Sequence, residues 1–236
     1  MLEPLGETFY RRKVGQIQSK LAELELDGIL LLDRYNVIYA SGFFHSASER
    51  PIGFFIPVSG EPTLFIPLLE QENAAAGWVK DIRTYFEFPG ETPPVLWMIQ
   101  EAKVKHLAID RLAHSLFSTL KQTKGQAVIN DLVDKLRYIK EPEELVLIRK
   151  AATYADYYLQ FLFDHAAEFM RSGATELEIM NSCLDATLKH QANDLDEAFA
   201  QTKVGVTVTV HTGRPLVVHP WLLGGLFAFW RRPIDS

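Results

Sequence analysis

The sequence predicts an α/β chain built in two parts. Three observations carry this. Short apolar runs alternate with amphipathic ones through roughly the first 130 residues, the pattern of a mostly parallel or mixed sheet covered by helices. One long stretch of three–four periodicity begins after Glu141-Pro142. Beyond Asp194 the character changes to an alternating, β-branched run over Lys203 to Val210, which reads as a strand.

The first element is a helix from about Thr8 to Leu26. Tyr10, Val14, Ile17, Leu21 and Leu24 lie on one face, Thr8 supplies the N-cap and Asp27-Gly28 the stop. Gly28 to Leu32 is apolar on both faces, as a buried strand requires. Ile52 to Val58 and Thr63 to Ile66 read as a hairpin around Ser59-Gly60-Glu61-Pro62. Leu68 to Ala76 reads as helical and Trp78 to Phe86 as extended. Thr92-Pro93-Pro94 opens a helix to about Lys103, because proline is tolerated in a first turn. His106 to Asp110 is a strand, His114 to Gln122 a helix and Gln126 to Ile129 a strand.

The second part starts where Glu141 precedes Pro142, with Glu143 and Glu144 favouring the helix dipole. Leu145, Ile148, Ala152, Ala155, Leu159, Leu162, Ala166 and Phe169 then recur at three–four spacing and mark a helix of about thirty residues ending at Gly173. Thr175-Glu-Leu-Glu178 is a capping box for a helix to about His190. Thr212-Gly213-Arg214-Pro215 makes a turn, and Leu216 to Val218 a short strand.

Composition narrows function by exclusion. Of 236 residues, 47% are apolar and 23% charged, an ordinary globular balance, and the net charge of −6 argues against nucleic acid. The single cysteine, Cys183, allows no internal disulfide, which fits a reducing cytoplasm, and it reads as a packing residue. The N-terminus does not read as a signal peptide, and the apolar stretch Trp221 to Trp230 is too short to span a membrane. The zinc-protease His-Glu-x-x-His pattern, paired cysteines, the phosphate-cradling loop and the Gly-x-Ser-x-Gly elbow are absent. His45, His106, His114, His165 and His190 read as surface or satisfied residues, and Asp194, Asp196 and Glu197 as a solvated loop.

Three segments carry a family resemblance. Asn36-Val-Ile-Tyr-Ala-Ser-Gly-Phe43 resembles a signature of the N-terminal domain of the creatinase and Xaa-Pro peptidase family. Leu136-Arg137-Tyr-Ile-Lys140-Glu-Pro-Glu-Glu144-Leu resembles the junction with that family's catalytic domain. Gly173-Ala-Thr175-Glu176-Leu-Glu178 resembles the corner between the catalytic domain's first two helices.

The resemblance implies a creatinase-type mixed sheet of six strands with flanking helices over residues 1–138. An incomplete α+β pita-bread domain would follow over residues 139–236. It further implies a dinuclear centre of manganese, cobalt or zinc, a peptide with proline at the second position as substrate, and a homodimer. Gly213-Arg-Pro-Leu-Val-Val-His219 resembles the segment that carries a substrate-binding histidine, so His219 is the candidate site residue and His211 the weaker one. Pro220 departs from the family, which has glycine or tyrosine there. The family's carboxylate ligands have no counterpart, since Asp235 is the only acid after Glu197. The expectation is a truncated, inactive Xaa-Pro peptidase with no metal or cofactor of its own. A non-enzymatic binding or dimerisation module is the alternative, and a small-molecule-binding α/β domain rests on fold analogy alone.

Overall fold

The computed structural model describes residues 4–45, 48–86, 92–114, 116, 120 and 127–194. The chain divides into two compact units, Leu5–Lys140 and a second containing the residues from Glu141 onward.

The first unit is organised by six strands: β1 (Gly28–Leu31), β2 (Gly53–Pro57), β3 (Thr63–Pro67), β4 (Asp81–Tyr85), β5 (Leu107–Ile109) and β6 (Ala127–Ile129). They form one sheet in the order β4-β3-β2-β1-β5-β6. β2 is antiparallel to both its neighbours, and the remaining pairs are parallel. The mixed sheet expected from the sequence is therefore present, and the carboxyl ends of its parallel strands share one end of the unit.

Side chains alternate between two cores, as the two-residue period of a strand demands. Ile29, Leu31, Phe54, Ile56, Leu64, Ile66 and Ala108 enter one cluster with Val14, Ile17 and Leu21 of helix α1 (Glu7–Glu23). Val37 and Ala40 of α2 (Arg34–Ser41) and Leu132 and Val133 of α5 (Leu132–Tyr138) close the same face. Leu30, Phe55, Phe65, Leu107 and Ile109 meet Met98, Ile99 and Ala102 at helix α4 (Pro94–Glu101) on the other. Each fully buried Leu, Ile or Phe in these layers contributes about 1.5–3 kcal/mol. A short 3-10 turn (Leu68–Glu70) leads into α3 (Gln71–Ala75).

Two local details differ from the expectation. α1 begins after Gly6 rather than Thr8, with no side-chain cap. It ends in a Schellman arrangement in which Leu26 N–H donates to Leu21 O at 3.0 Å and Glu25 N–H to Ala22 O at 3.2 Å. The left-handed residue is Glu25, with φ 54, so Gly28 is released to begin β1.

In the second unit, α6 (Pro142–Ser172) is 31 residues long. The Glu141 and Glu144 side chains form a capping box at its start, and Gly173 at φ 69 ends it. α7 (Glu176–Asp194) runs a turn further than expected. Its capping box is present: Thr175 N–H donates to Glu178 Oε2 at 2.7 Å and Glu178 N–H to Thr175 Oγ1 at 3.3 Å.

The stripe from Leu145 to Phe169 is not the buried face of α6. Tyr154 and Tyr158 are buried instead, as are Cys183, Thr187 and Gln191 of α7, while Leu159 is 49% exposed. Periodicity identifies an apolar face without telling which partner meets it, and the seam of this hairpin uses aromatic and small polar groups. The expected helix His114–Gln122 falls largely outside the described residues. So do the strand over 203–210, the turn and strand over 212–218, and the apolar tail.

The capping box makes α7 sensitive to acid. Hydrogen bonds from the Thr175 backbone N–H and then its hydroxyl hold the Glu178 carboxyl below the ordinary glutamate range. A depressed acid stabilises the folded state above its unfolded value, about 4.3, and that contribution is lost as pH falls through the folded value. Glu178→Gln should therefore lower Tm at neutral pH, with the gap to wild type closing below about pH 4, measured by circular dichroism across pH.

Candidate functional site

The chemistry-bearing residues of the first unit gather at the carboxyl ends of β1 and β5, where open α/β sheets place ligand sites. Asp33 follows β1 and caps α2, its Oδ1 accepting from Tyr35 N–H at 3.0 Å and Asn36 N–H at 3.3 Å. Asp110 follows β5. Its Oδ1 accepts from Leu32 N–H at 2.7 Å, and its Oδ2 from Asp33 N–H at 3.1 Å. The Asn36 Nδ2 group donates to the same Oδ2 at 3.0 Å, and Asn36 Oδ1 accepts from Arg137 Nη1 at 3.0 Å. Three side chains therefore link β5, α2 and α5 in series.

Burial pushes the Asp110 carboxyl above the ordinary aspartate value, against the hydrogen bonds from Leu32, Asn36, Asp33 and the Arg111 backbone. Arg111 pairs with Asp33 at 2.9 Å, and the Arg137 guanidinium lies 5.4 Å from the Tyr35 ring centroid. Positive and negative groups are paired here, Arg111 with Asp33 and Arg137 with Asp134.

The rest of the Asn36–Phe43 segment is equally structural. The Tyr39 hydroxyl reaches Leu136 O at 3.5 Å, a long contact. Ser41 Oγ donates to Val37 O at 2.6 Å and accepts from Phe43 N–H at 3.0 Å. Trp78 Nε1 donates to Ser41 O at 2.6 Å. Gly42 ends α2 at φ 72, and a Cβ there would lie 2.5 Å from a carbon of the Tyr10 ring.

His219 and His211 lie outside the described residues, as do Asp196 and Glu197. The other histidines have local partners. His45 is buried and stacks on Phe43 at 5.8 Å, and His106 lies 3.7 Å from Asp27. His165 Nδ1 is 2.9 Å from Phe161 O, and His190 stacks on Tyr157 at 4.1 Å. Cys183 is buried beside Tyr158, and burial raises its thiol above the ordinary value, which does not suit a nucleophile. Among the described residues, no group of three or more His, Cys, Asp or Glu side chains could hold a metal ion. These residues do not fit a metal centre, and no catalytic step is assigned to them. Among the described residues, no helix is long and apolar enough to cross a membrane.

Residues 13–141 match the creatinase/prolidase N-terminal domain. The chain belongs to that family. An uncharacterized peptidase of Staphylococcus haemolyticus is 27% identical over 172 residues, which is 72% of this chain and 47% of that protein. The Xaa-Pro dipeptidase of Lactobacillus delbrueckii subsp. lactis is 25% identical over 195 residues, covering 79% of this chain and 52% of its own. This chain thus spans about half the length of the curated relatives it matches. The Xaa-Pro dipeptidase structure from Bacillus anthracis shares the fold, with a TM-score of 0.57 at 22% identity over 77% of this chain and 49% of that one. The fold class stands as expected: a creatinase-type mixed sheet with flanking helices, followed by helices of an α+β pita-bread kind.

Within this creatinase/prolidase domain, sequence reasoning found the segment around Asn36 but not its partners. Asp33 went unread, because the helix it caps is too short to show a period. Asp110 had only the signal of an acid closing an apolar strand, and Arg137 entered only as part of a junction.

Gly42 gives a direct check on the structural reading. Gly42→Ala combines a left-handed backbone with a clash against Tyr10 and should cost about 2–4 kcal/mol in urea unfolding. Gly60→Ala, at φ 98 with open space around it, should cost only about 1 kcal/mol.

Proposed function

We propose that this polypeptide is the N-terminal domain and the opening helices of the catalytic domain of an Xaa-Pro peptidase, of dipeptidase or aminopeptidase type. Residues 1–138 form the creatinase-type domain and 139–236 the start of the pita-bread domain. The observation that carries this reading is the reach of the likeness to a named Xaa-Pro dipeptidase. It covers 79% of the chain, well beyond the family match that ends at residue 141. The intact enzyme hydrolyses the peptide bond preceding proline, with a peptide bearing proline at its second position as substrate. It works as a cytoplasmic homodimer with two divalent metals, manganese, cobalt or zinc. His219 is its substrate-binding histidine.

These 236 residues by themselves are inactive, because the described residues offer no ligand set and Asp235 is the only acid after Glu197. The purified chain with manganese or cobalt should give no turnover of an Xaa-Pro dipeptide above background. Residues 1–194, grafted in place of the matching segment of the Lactobacillus delbrueckii enzyme, should support metal-dependent hydrolysis. Turnover by the chain alone would contradict its inactivity. A folded, metal-loaded chimera without activity would contradict the peptidase reading.

One observation favours the alternative of a non-enzymatic binding or dimerisation module. Phe163, Met170 and Leu177 of the α6/α7 hairpin are 73%, 76% and 62% exposed. Exposed apolar side chains on one helix pair supply surface that a partner would cover.

A further inference from the structure

We infer that the Asp110–Asn36–Arg137 relay is a latch on α5, holding that helix to the end of the sheet and releasing it when Asp110 takes up a proton, while the sheet persists. The inference goes beyond the peptidase reading and does not depend on it.

The geometry leaves no room for a proton on Asp110 without the loss of a donor. A carboxylate offers about four lone-pair sites. Oδ1 accepts from Leu32 N–H at 2.7 Å and Asp33 N–H at 3.3 Å, and Oδ2 from Asp33 N–H at 3.1 Å and Asn36 Nδ2 at 3.0 Å. The Arg111 backbone N–H adds a further donor. Backbone donors are fixed by β1 and by the turn into α2. The Asn36 amide sits on a side chain that can rotate, so it is the group that gives way.

Rotation of Asn36 withdraws the oxygen that accepts from Arg137 Nη1. Arg137 then keeps only the Asp134 carboxylate at 3.3 Å, within its own helix, and the Tyr35 ring. α5 is short of the length at which a helix stands alone, and its first turn is tied down by Asn130, whose Oδ1 accepts from Leu132 N–H at 2.9 Å, rather than by Asp131. Leu132 and Val133 anchor its first turn in the core. Its second half rests on Leu136, half-buried against the same cluster, on the long contact from Tyr39 to Leu136 O, and on Arg137. The charged groups tied to Asp110 through these contacts are Asp33, paired with Arg111 at 2.9 Å, and Arg137, paired with Asp134 at 3.3 Å.

Burial places the Asp110 titration above the ordinary aspartate value, so the latch opens at milder acid than an exposed aspartate would allow. With the folded pKa raised, the group's contribution to global stability is present in acid and is lost as pH rises through the folded value. The Asn36 hydrogen bond lowers the Asp110 pKa in the closed form, so opening raises it further, and acid shifts the latch toward the open form with the sheet still folded.

The test is amide hydrogen exchange on the full 236-residue chain from about pH 7.5 to about pH 3, corrected for intrinsic rates, with the Asp110 carboxyl carbon followed by NMR. Amides of 136–138 should lose protection about tenfold in one step that tracks Asp110, with β1 and β5 unchanged. Asp110→Asn should show low α5 protection at every pH and no step. Asn36→Ala retains the Asp110 contacts to Leu32 and Asp33, and it should give the same flat, low profile if Asp110→Asn fails to fold. Wild-type α5 protection that stays constant while Asp110 titrates, simultaneous loss in β1 and α5, or a wild-type step in Asn36→Ala would each overturn the latch.

Discussion

The parallel pairing of β1 with β5 is the constraint on which the first unit depends. The two strands are far apart in the chain, with β2, β3, β4 and α4 between them. No turn sets their register, and two aspartates fix it from opposite ends. Asp27, before β1, accepts from Lys105 N–H at 3.1 Å and His106 N–H at 2.8 Å. Asp110, after β5, accepts from Leu32 and Asp33 in return. Because strand side chains alternate, a slip by one residue would exchange Leu30 with Ile29 and Leu31 and turn each strand's apolar set to the wrong core. The two pins differ in kind. The His106 backbone hydrogen bond holds the exposed Asp27 carboxyl below its usual range, whereas burial raises Asp110.

From the Asp110 end the organisation spreads outward. The aspartate orders the turn into α2, Asp33 caps that helix, and Asn36 carries the hold across to Arg137. Gly42 stops α2 against Tyr10, and the Ser41 carbonyl receives Trp78. The segment that marks the creatinase/prolidase N-terminal domain thus acts as a structural joint. Its polar groups are consumed in holding strands and helices together, and none is presented as a catalytic acid, base or nucleophile.

Much of this architecture was legible in the sequence, for identifiable reasons. The buried strands announced themselves as apolar runs, and Pro94, Pro142, Gly173 and Thr175 marked helix ends through local sterics and capping. α2 and α5 were not legible as helices, because their short lengths give periodicity little to act on. The Asp110–Asn36 bond joins residues 74 positions apart, and the Asn36–Arg137 bond residues 101 apart. Local pattern carries no trace of such pairs. The stripe on α6 shows the opposite failure, since a strong period named an apolar face but the α7 seam took Tyr154 and Tyr158. The candidate His219 lies outside the described residues, so the catalytic reading stands on the family likeness.

Asn36 couples the end of the sheet to α5 through Arg137. A double-mutant cycle of Asn36→Ala and Arg137→Ala in urea unfolding measures that coupling directly. The two sites should show an interaction free energy of about 1 kcal/mol or more. Single effects that simply add would contradict it.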